Sequence, residues 1–157
     1  MATKMHTRDE LLYLARLAEQ CERYDEMVNY ASDFAKAGHE ELSLEERNIL
    51  SVAFKNVVGT RRAAWRVLSS IEKKENNKGN TANVDKVKYY KGQIEEELTK
   101  VCLDILDLLE KHLIPKSSVD EAKVFFQKMK GDYYRYIAEY AVGEKRNSAA
   151  QKALSSY

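Results

Sequence analysis

Residues 47–66, which read RNILSVAFKNVVGTRRAAWR, decide the fold class of this chain. Within and beyond this stretch, apolar residues recur three and four positions apart, which places them on one face of an α-helix. These residues are Ile49, Val52, Ala53, Val57, Ala64, Val67, Leu68 and Ile71. Ser43 and Glu46 form a capping box just upstream. The pattern therefore predicts one long helix that begins there.

The same periodicity predicts helices before and after this one. Capping boxes at residues 7–10 and 118–121 open two of them, and a loop is predicted at residues 76–80. Gly38 is typical of a helix end. Propensity alone joins the first two apolar segments into one continuous helix.

Two further boundaries are predicted near the end of the sequence. Pro115 disfavours the α region at Ile114, so the fourth helix should end before the proline. A sixth helix should start after Gly143, and its pattern is still running at Tyr157. No alternating segment is typical of a sheet and no repeat indicates a solenoid, so we predict an all-α array of antiparallel helices.

Composition indicates one soluble domain spanning residues 1–157. The 26 basic and 25 acidic side chains leave a net charge of +1, which gives no general attraction to nucleic acid or an anionic membrane. No run is apolar enough to cross a bilayer, and the first ten residues do not resemble a secretory signal. Cys21 and Cys102 are isolated, as in reduced proteins. We expect a cytoplasmic protein.

The sequence contains no pattern that indicates an enzyme. His6, His39 and His112 lie far apart and match neither metal-ligand nor nucleophile-activating spacing. No glycine-rich phosphate loop precedes a helix, and the carboxylates at 95–97 are typical of a solvated helix face. We therefore expect no catalytic residue, metal or cofactor.

Basic residues follow a regular spacing on two of the predicted helices. Lys55 and Arg62 are two helical turns apart, and Lys128 and Arg135 repeat that spacing beside Tyr136. Arginine grips phosphate oxygens with a planar fork of donors. Two arginines, a lysine and a phenol would hold one phosphate dianion.

The same spacing also fits ordinary exposed charges on a helix. Periodicity places each pair on one face, but it does not show that the two helices adjoin. From the residues alone, both interpretations stay open.

Several long runs resemble the 14-3-3 family, in the family's order and across nearly the whole chain. They are the opening stretch at 47–66, the run LAEQCERYDEM at 17–27, HLIP at 112–115 and KMKGDYYRY at 128–136. Members are all-helical, non-enzymatic adaptors that dimerise and bind phosphoserine or phosphothreonine segments. The resemblance also implies a break of the first helical stretch near Arg23.

The resemblance assigns a role to the basic residues. It implies that Lys55, Arg62, Arg135 and Tyr136 form the phosphate pocket, with Lys128 nearby in the groove. All four pocket positions match the family in residue type.

The resemblance also implies a homodimer in which the first helix packs on the third and fourth helices of its partner. The implied interface comprises Leu17, Cys21, Arg23, Ala64, Val67, Leu68, Ile71, Tyr90 and Glu97. An ion pair between Arg23 and Glu97 of the two subunits would fit this arrangement. Several of the apolar members would equally be core residues in any helical bundle.

Two positions depart from the family pattern. Ala64 stands where many members carry a serine whose phosphorylation opposes dimerisation, so that switch should be absent. Gln93 stands where a lysine commonly pairs across the interface, so Glu26 should lack that partner. A rim ion pair contributes only about 0–1 kcal/mol, and we expect a weaker dimer at most.

The resemblance covers about six of the family's nine helices. Residues 1–110 correspond to the dimerisation region and first groove helix, and residues 118–157 to the second groove helix and the start of the next. The helices beyond would supply the apolar wall of the groove, and the pattern still running at Tyr157 favours a shortened form.

Two functions follow as expectations. The first is a phosphopeptide-binding adaptor that clamps or bridges phosphorylated clients as a dimer with itself or a related chain. The alternative is a scaffold that retains only dimerisation. An enzyme and a nucleic-acid binder rank below both.

Overall fold

The computed structural model of the chain describes residues 6–38 and 40–157, and this part contains six principal helices. They are α1 (Arg8–Gln20), α2 (Tyr24–Lys36), α3 (Leu44–Asn77), α4 (Thr81–Leu108), α5 (Asp120–Tyr140) and α6 (Gly143–Ser156). No strand occurs among these residues, so the all-α prediction is confirmed. None of the described helices combines the length and apolar character needed to cross a membrane.

Two of the predicted capping boxes are confirmed. At the start of α1, the Thr7 hydroxyl accepts a hydrogen bond from the Glu10 amide at 3.2 Å, and the Thr7 amide donates to the Glu10 carboxylate at 3.4 Å. Ser43 and Glu46 make the same reciprocal bonds at the start of α3, at 3.1 and 2.8 Å. Each box satisfies amides that have no partner inside the helix.

The third predicted capping box, at residues 118–121, is wrong. The residue before α5 is Val119, whose side chain makes no capping hydrogen bond. The Ser118 hydroxyl instead donates to the Glu41 carboxylate at 2.9 Å, and its amide donates to the same carboxylate. Glu121 accepts a hydrogen bond from Arg47 at 3.3 Å. Contacts with the α2–α3 loop and α3 thus replace the local cap.

The chain breaks between α1 and α2, as the family resemblance predicts and propensity does not. Glu22 has a left-handed φ of +56°. The Arg23 amide donates to the Ala18 carbonyl at 2.9 Å, and the Glu22 amide donates to the Glu19 carbonyl at 3.0 Å. These two bonds form a Schellman motif, which ends a helix. Propensity misses it because a glutamate occupies the position where glycine is usual.

α4 ends at Leu108, before Pro115 as predicted, but the expectation that the proline keeps Ile114 out of the α region is wrong. α4 continues into a π-helical turn, Leu109–Leu113, and one more helical turn, Ile114–Lys116. Ile114 lies in the right-handed α region, with φ −65° and ψ −48°. A proline ring normally collides with the carbonyl four residues earlier. The wider π turn relieves that collision because its hydrogen bonds close over five residues.

The remaining predicted boundaries agree with the structure. α2 ends at Lys36, just before Gly38, and α3 ends inside the predicted loop at 76–80. α6 begins at Gly143 itself rather than after it, and this glycine has a φ of +62°.

The core is built from large apolar side chains of α2, α3, α4 and the π-helical turn that follows α4. Its largest fully buried members are Phe34, Phe54, Met27, Leu50, Leu98, Ile105, Leu108 and Leu109. Burial of each such side chain contributes roughly 1.5–3 kcal/mol. α5 joins this core through Phe126, Met129 and Tyr133, which are also buried. α3 is therefore fixed against α2 and α4, and α5 is fixed against the same core.

α3 and α5 face each other across a gap. α5 packs against α4 and α6, and no Cα atom of α5 comes within 8 Å of a Cα atom of α3, both helices being fully described. Only side chains span the space between the two backbones. This gap contains the basic residues predicted from the sequence.

A charged network ties α1 to the start of α3. Arg8 donates from Nε and Nη2 to the two oxygens of Glu46 at 2.6 and 2.7 Å, and only 8% of the Glu46 side chain is exposed. Burial acts to raise the pKa of Glu46, but hydrogen bonds from Arg8 and Ser43 outweigh it and the pKa is lowered. Glu46 is therefore a charged hydrogen-bond acceptor that joins the start of α1 to the start of α3.

Replacing Glu46 with glutamine should lower the free energy of unfolding at neutral pH by about 2 kcal/mol, because it removes charge-assisted hydrogen bonds to Arg8. In the wild type this contribution is present above the ordinary carboxyl pKa of 4.5 and is lost as the pH falls through the lowered pKa. Urea unfolding at neutral and acidic pH measures both effects. A difference between the two proteins that stays constant at acidic pH would contradict the expectation.

Replacing Glu22 with glycine should raise the free energy of unfolding by about 0.5–1 kcal/mol, because glycine adopts a positive φ without a Cβ clash. Glu19→Gly inside α1 serves as the matched control and should lower stability by a similar amount. Urea unfolding of the three proteins tests this. Destabilisation by both substitutions would show that Glu22 is not strained.

Candidate functional site

One face of α5 carries charged side chains on both sides of a tyrosine. Its members are Lys128, Asp132, Arg135, Tyr136 and Glu139. They follow one another at intervals of one, three or four residues, so α-helical geometry aligns them along the helix. This face points toward α3, as the contacts below establish.

Aromatic rings link the two helices across the gap. The ring of Phe54 on α3 meets the ring of Tyr133 edge to face, with centroids 6.4 Å apart. Tyr133 in turn meets Tyr136 edge to face at 5.3 Å. Tyr133 is buried, and burial raises the pKa of its phenol, so it stays neutral. Packing of these rings holds Tyr136 in place between α3 and α5.

The two predicted phosphate-binding arginines converge on one ring. The guanidinium carbon of Arg62 lies 4.0 Å from the centroid of Tyr136, and that of Arg135 lies 5.3 Å from the same centroid. Their separation cannot exceed the sum of these distances. α3 and α5 thus bring the two guanidinium groups to the same side of the molecule.

A cleft of about 290 Å³ opens beside this ring. Its lining residues are Ser51, Lys55, Phe125, Lys128, Met129, Asp132, Tyr133, Arg135 and Tyr136. Four of the five residues predicted to bind phosphopeptide line it. Arg62 does not, and lies against Tyr136 at its edge.

Arg62 is held by a carboxylate of α5. Its Nε and Nη2 atoms donate to the two oxygens of Glu139 at 3.1 and 2.6 Å. Hydrogen bonding to Glu139 raises the pKa of Arg62. Arg66, one turn along α3, lies 3.5 Å from the same carboxylate. Glu139 therefore joins α3 to α5 next to the aromatic contacts.

A second carboxylate of α5, that of Asp132, contacts two of the other cations. Asp132 accepts a hydrogen bond from Lys128 at 2.9 Å and lies 3.6 Å from Arg135. The hydroxyl of Tyr157 donates to Asp132 at 2.7 Å. Lys55 is exposed and has no carboxylate within 4.0 Å among residues 6–38 and 40–157. The cations of the cleft are thus partly, but not fully, neutralised within the chain.

The sequence prediction missed Asp132 and Glu139. Each lies three residues from a predicted site residue on the same helix face, Asp132 before Arg135 and Glu139 after Tyr136. The spacing alone predicts that both carboxylates lie beside the site residues, because side chains three and four positions apart on a helix are neighbours.

The residues predicted to form a dimer interface divide into two groups. Leu17, Cys21, Arg23, Val67, Ile71, Tyr90 and Glu97 are exposed, whereas Ala64 and Leu68 are partly buried. Four of the exposed members are large apolar side chains, with Val67 58% and Tyr90 57% exposed. None of the nine is a fully buried core residue.

The charged members of this surface have partners within the chain. Arg23 donates from Nε to Glu26 at 2.8 Å, and Glu97 lies 3.7 Å from Arg61. Arg61 also lies 3.5 Å from Asp25. The predicted ion pair between Arg23 and Glu97 is one between subunits and remains a prediction.

Metal ligands do not cluster in the described part of the chain. There, no three histidine, cysteine, aspartate or glutamate side chains come together as an ion would require. His39, which the sequence analysis considered, lies outside the described residues. Both cysteines are free, and burial raises the pKa of the Cys102 thiol to about 12.

Comparison with known proteins identifies a family model and close relatives. The model described as "14-3-3 protein" matches residues 14–157. The chain is 57% identical to the checkpoint signal transducer rad24 of Schizosaccharomyces pombe, covering 96% of the chain and 56% of that protein. It is 54% identical to the 14-3-3-like protein GF14-12 of Zea mays, covering 100% of the chain and 60% of the relative. The chain thus spans about three-fifths of the length of these curated relatives.

Proposed function

The chain belongs to the 14-3-3 family, and we propose that it is a non-enzymatic signalling adaptor that binds phosphoserine or phosphothreonine segments of client proteins in the cytoplasm. The proposed ligand-binding residues are Lys55, Arg62, Lys128, Arg135 and Tyr136. Nucleic acid and membranes are not proposed as partners, because the net charge of +1 provides no general attraction to either.

The observation that carries this proposal is the local charge balance. Four cations, Lys55, Arg62, Lys128 and Arg135, meet two carboxylates, Asp132 and Glu139, around the cleft. Four positive and two negative charges leave +2, and Arg66, which shares the Glu139 carboxylate, adds a third positive charge. This excess is sufficient to neutralise a phosphoserine dianion. An otherwise nearly neutral chain thus has a strongly cationic cleft of a size that fits one phosphate and its neighbouring residues.

Three of these residues have distinct roles in the proposed complex. Lys55 provides a charge that no carboxylate of the described chain neutralises, and Arg135 provides a planar fork of donors. The Tyr136 hydroxyl donates to a phosphate oxygen. Charge-assisted hydrogen bonds contribute roughly 1.5–3 kcal/mol each, so a few of them account for selective binding of phosphorylated over plain peptide.

We also propose that the chain pairs with itself or a related chain. In this proposal, residues 1–110 contain the dimerisation region and the first groove helix, and residues 118–157 contain the second groove helix. Exposed Leu17, Val67, Ile71 and Tyr90 would be buried in the dimer. Arg23 would exchange its contact with Glu26 for the Glu97 carboxylate of the second subunit. Two subunits would allow one dimer to clamp or bridge clients.

The second candidate function is a scaffold that dimerises without binding phosphopeptide. One observation favours it. Arg62, which the family resemblance places in the phosphate pocket, does not line the cleft and is engaged by Glu139. In that case dimerisation through the exposed apolar surface would be the only function of the chain.

Replacing Arg135 with glutamine should weaken binding of a phosphoserine peptide by at least about tenfold, because it removes one charged fork from the cleft. Arg135 is exposed, so the fold should not change. Fluorescence anisotropy with the phosphorylated and plain forms of one peptide measures the effect.

Arg146→Gln is the matched control, because Arg146 is also exposed but lies on α6 outside the cleft residues. It should bind like the wild type. If the wild type binds both peptide forms equally, the phosphopeptide proposal is wrong and the scaffold remains.

Replacing Val67 with aspartate should raise the dissociation constant of the dimer by at least about tenfold, because it would bury an unpaired charge. Sedimentation velocity over a concentration series measures this constant. Val124→Asp is the matched control, since Val124 is similarly exposed on α5 and lies outside the proposed interface. A wild type that stays monomeric at high concentration, or an equal effect of both variants, would contradict the proposed interface.

A further inference from the structure

The contact between Arg62 and Glu139 leaves part of the arginine available. Glu139 takes the Nε–H and one hydrogen of Nη2. Arginine has five N–H donors in a fixed plane. Arg62 Nη1 makes no hydrogen bond within residues 6–38 and 40–157. Both hydrogens of Nη1 and one of Nη2 therefore remain as a second fork, which a phosphate can occupy while Glu139 stays bound.

The same contact limits the motion of the guanidinium. Its plane is fixed by the two carboxylate oxygens of Glu139, and its carbon lies 4.0 Å from the Tyr136 centroid. Arginine otherwise loses substantial side-chain entropy when a ligand immobilises it. A guanidinium that is already held loses less on binding, and this favours affinity.

Glu139 and Tyr136 reach Arg62 from the same helix. They are three residues apart on α5, so one rigid element supplies both the carboxylate and the ring. A ligand that binds Arg135 and Tyr136 therefore also lies next to the guanidinium group of Arg62. The helix that carries half of the cationic cleft also orients the cation contributed by α3.

We propose that Glu139 is a positioning residue, which orients Arg62 so that its free fork binds the phosphate of the ligand. This inference rests on the proposed phosphopeptide-binding function. Glu139 is negatively charged, but in this proposal it favours the binding of an anion because it orients Arg62.

The sign of one substitution tests the inference. Glu139→Gln removes a negative charge near the cleft, and on electrostatic grounds alone this would strengthen binding of a phosphate dianion. If Glu139 positions Arg62, the variant should instead bind a phosphoserine peptide about tenfold more weakly. Anisotropy titration with the phosphorylated and plain peptide measures the change, and thermal unfolding verifies that the variant is folded.

A double-mutant cycle shows whether the effect acts through Arg62. In an Arg62→Gln background, Glu139→Gln should no longer weaken binding, and only the small electrostatic gain from the lost carboxylate should remain. The Nε–H resonance of Arg62 in ¹⁵N NMR spectra should be protected from solvent exchange in the wild type and lose that protection in Glu139→Gln. Glu144→Gln, an exposed charge change at the start of α6, is the control and should leave affinity unchanged.

The outcomes separate the two proposals. Tighter or unchanged binding by Glu139→Gln overturns the positioning role, and so does an equal loss in the Arg62→Gln background. In either case, selective wild-type binding of the phosphorylated peptide would leave the proposed function standing. A wild type that does not distinguish the two peptides overturns the proposed function and the positioning role together.

Discussion

The space between α3 and α5 is the constraint on which the candidate site depends. The two backbones stay more than 8 Å apart at every Cα pair, so only side chains meet. They include the rings of Phe54, Tyr133 and Tyr136 and the ion pairs that Arg47, Arg62 and Arg66 make with carboxylates of α5. Closer packing would fill the cleft, and wider packing would separate the arginines. Aromatic edge-to-face contacts suit this role, because they fix a spacing as well as contribute energy. The core beneath α3 and α5 holds the gap open.

Much of the fold is determined by local patterns that the sequence displays directly. Apolar spacing on α3 and the boxes at Thr7 and Ser43 depend only on neighbours within one or two turns. The errors arise where distant groups intervene. Ser118 binds the α2–α3 loop instead of capping α5, and the π turn accommodates Pro115. At Glu22, the backbone hydrogen bonds of the Schellman motif hold a positive φ that a residue with a Cβ disfavours.

The site was less predictable because it is assembled from two helices. Spacing places Lys55 with Arg62 on one face, but no local pattern indicates which helix that face meets. The family resemblance supplied the pairing with Arg135. Asp132 and Glu139 are not indicated by the chemistry of an anion site, because carboxylates repel a phosphate. Their spacing from the predicted residues is local, so a search for carboxylates one turn from each arginine finds them.

The π turn between α4 and α5 has a consequence for how this chain can vary. Leu109 and Leu113, at its two ends, are both buried. Loss of one residue would restore hydrogen bonds that close over four residues, which would bring the ring of Pro115 against a backbone carbonyl. A deletion is therefore disfavoured here. Substitutions are constrained as well, because Glu110 accepts a hydrogen bond from Tyr134 at 2.8 Å and Lys111 lies 2.7 Å from Asp107. Both the length of this turn, through the proline, and its exposed side chains, through their partners, are tied to the surrounding structure.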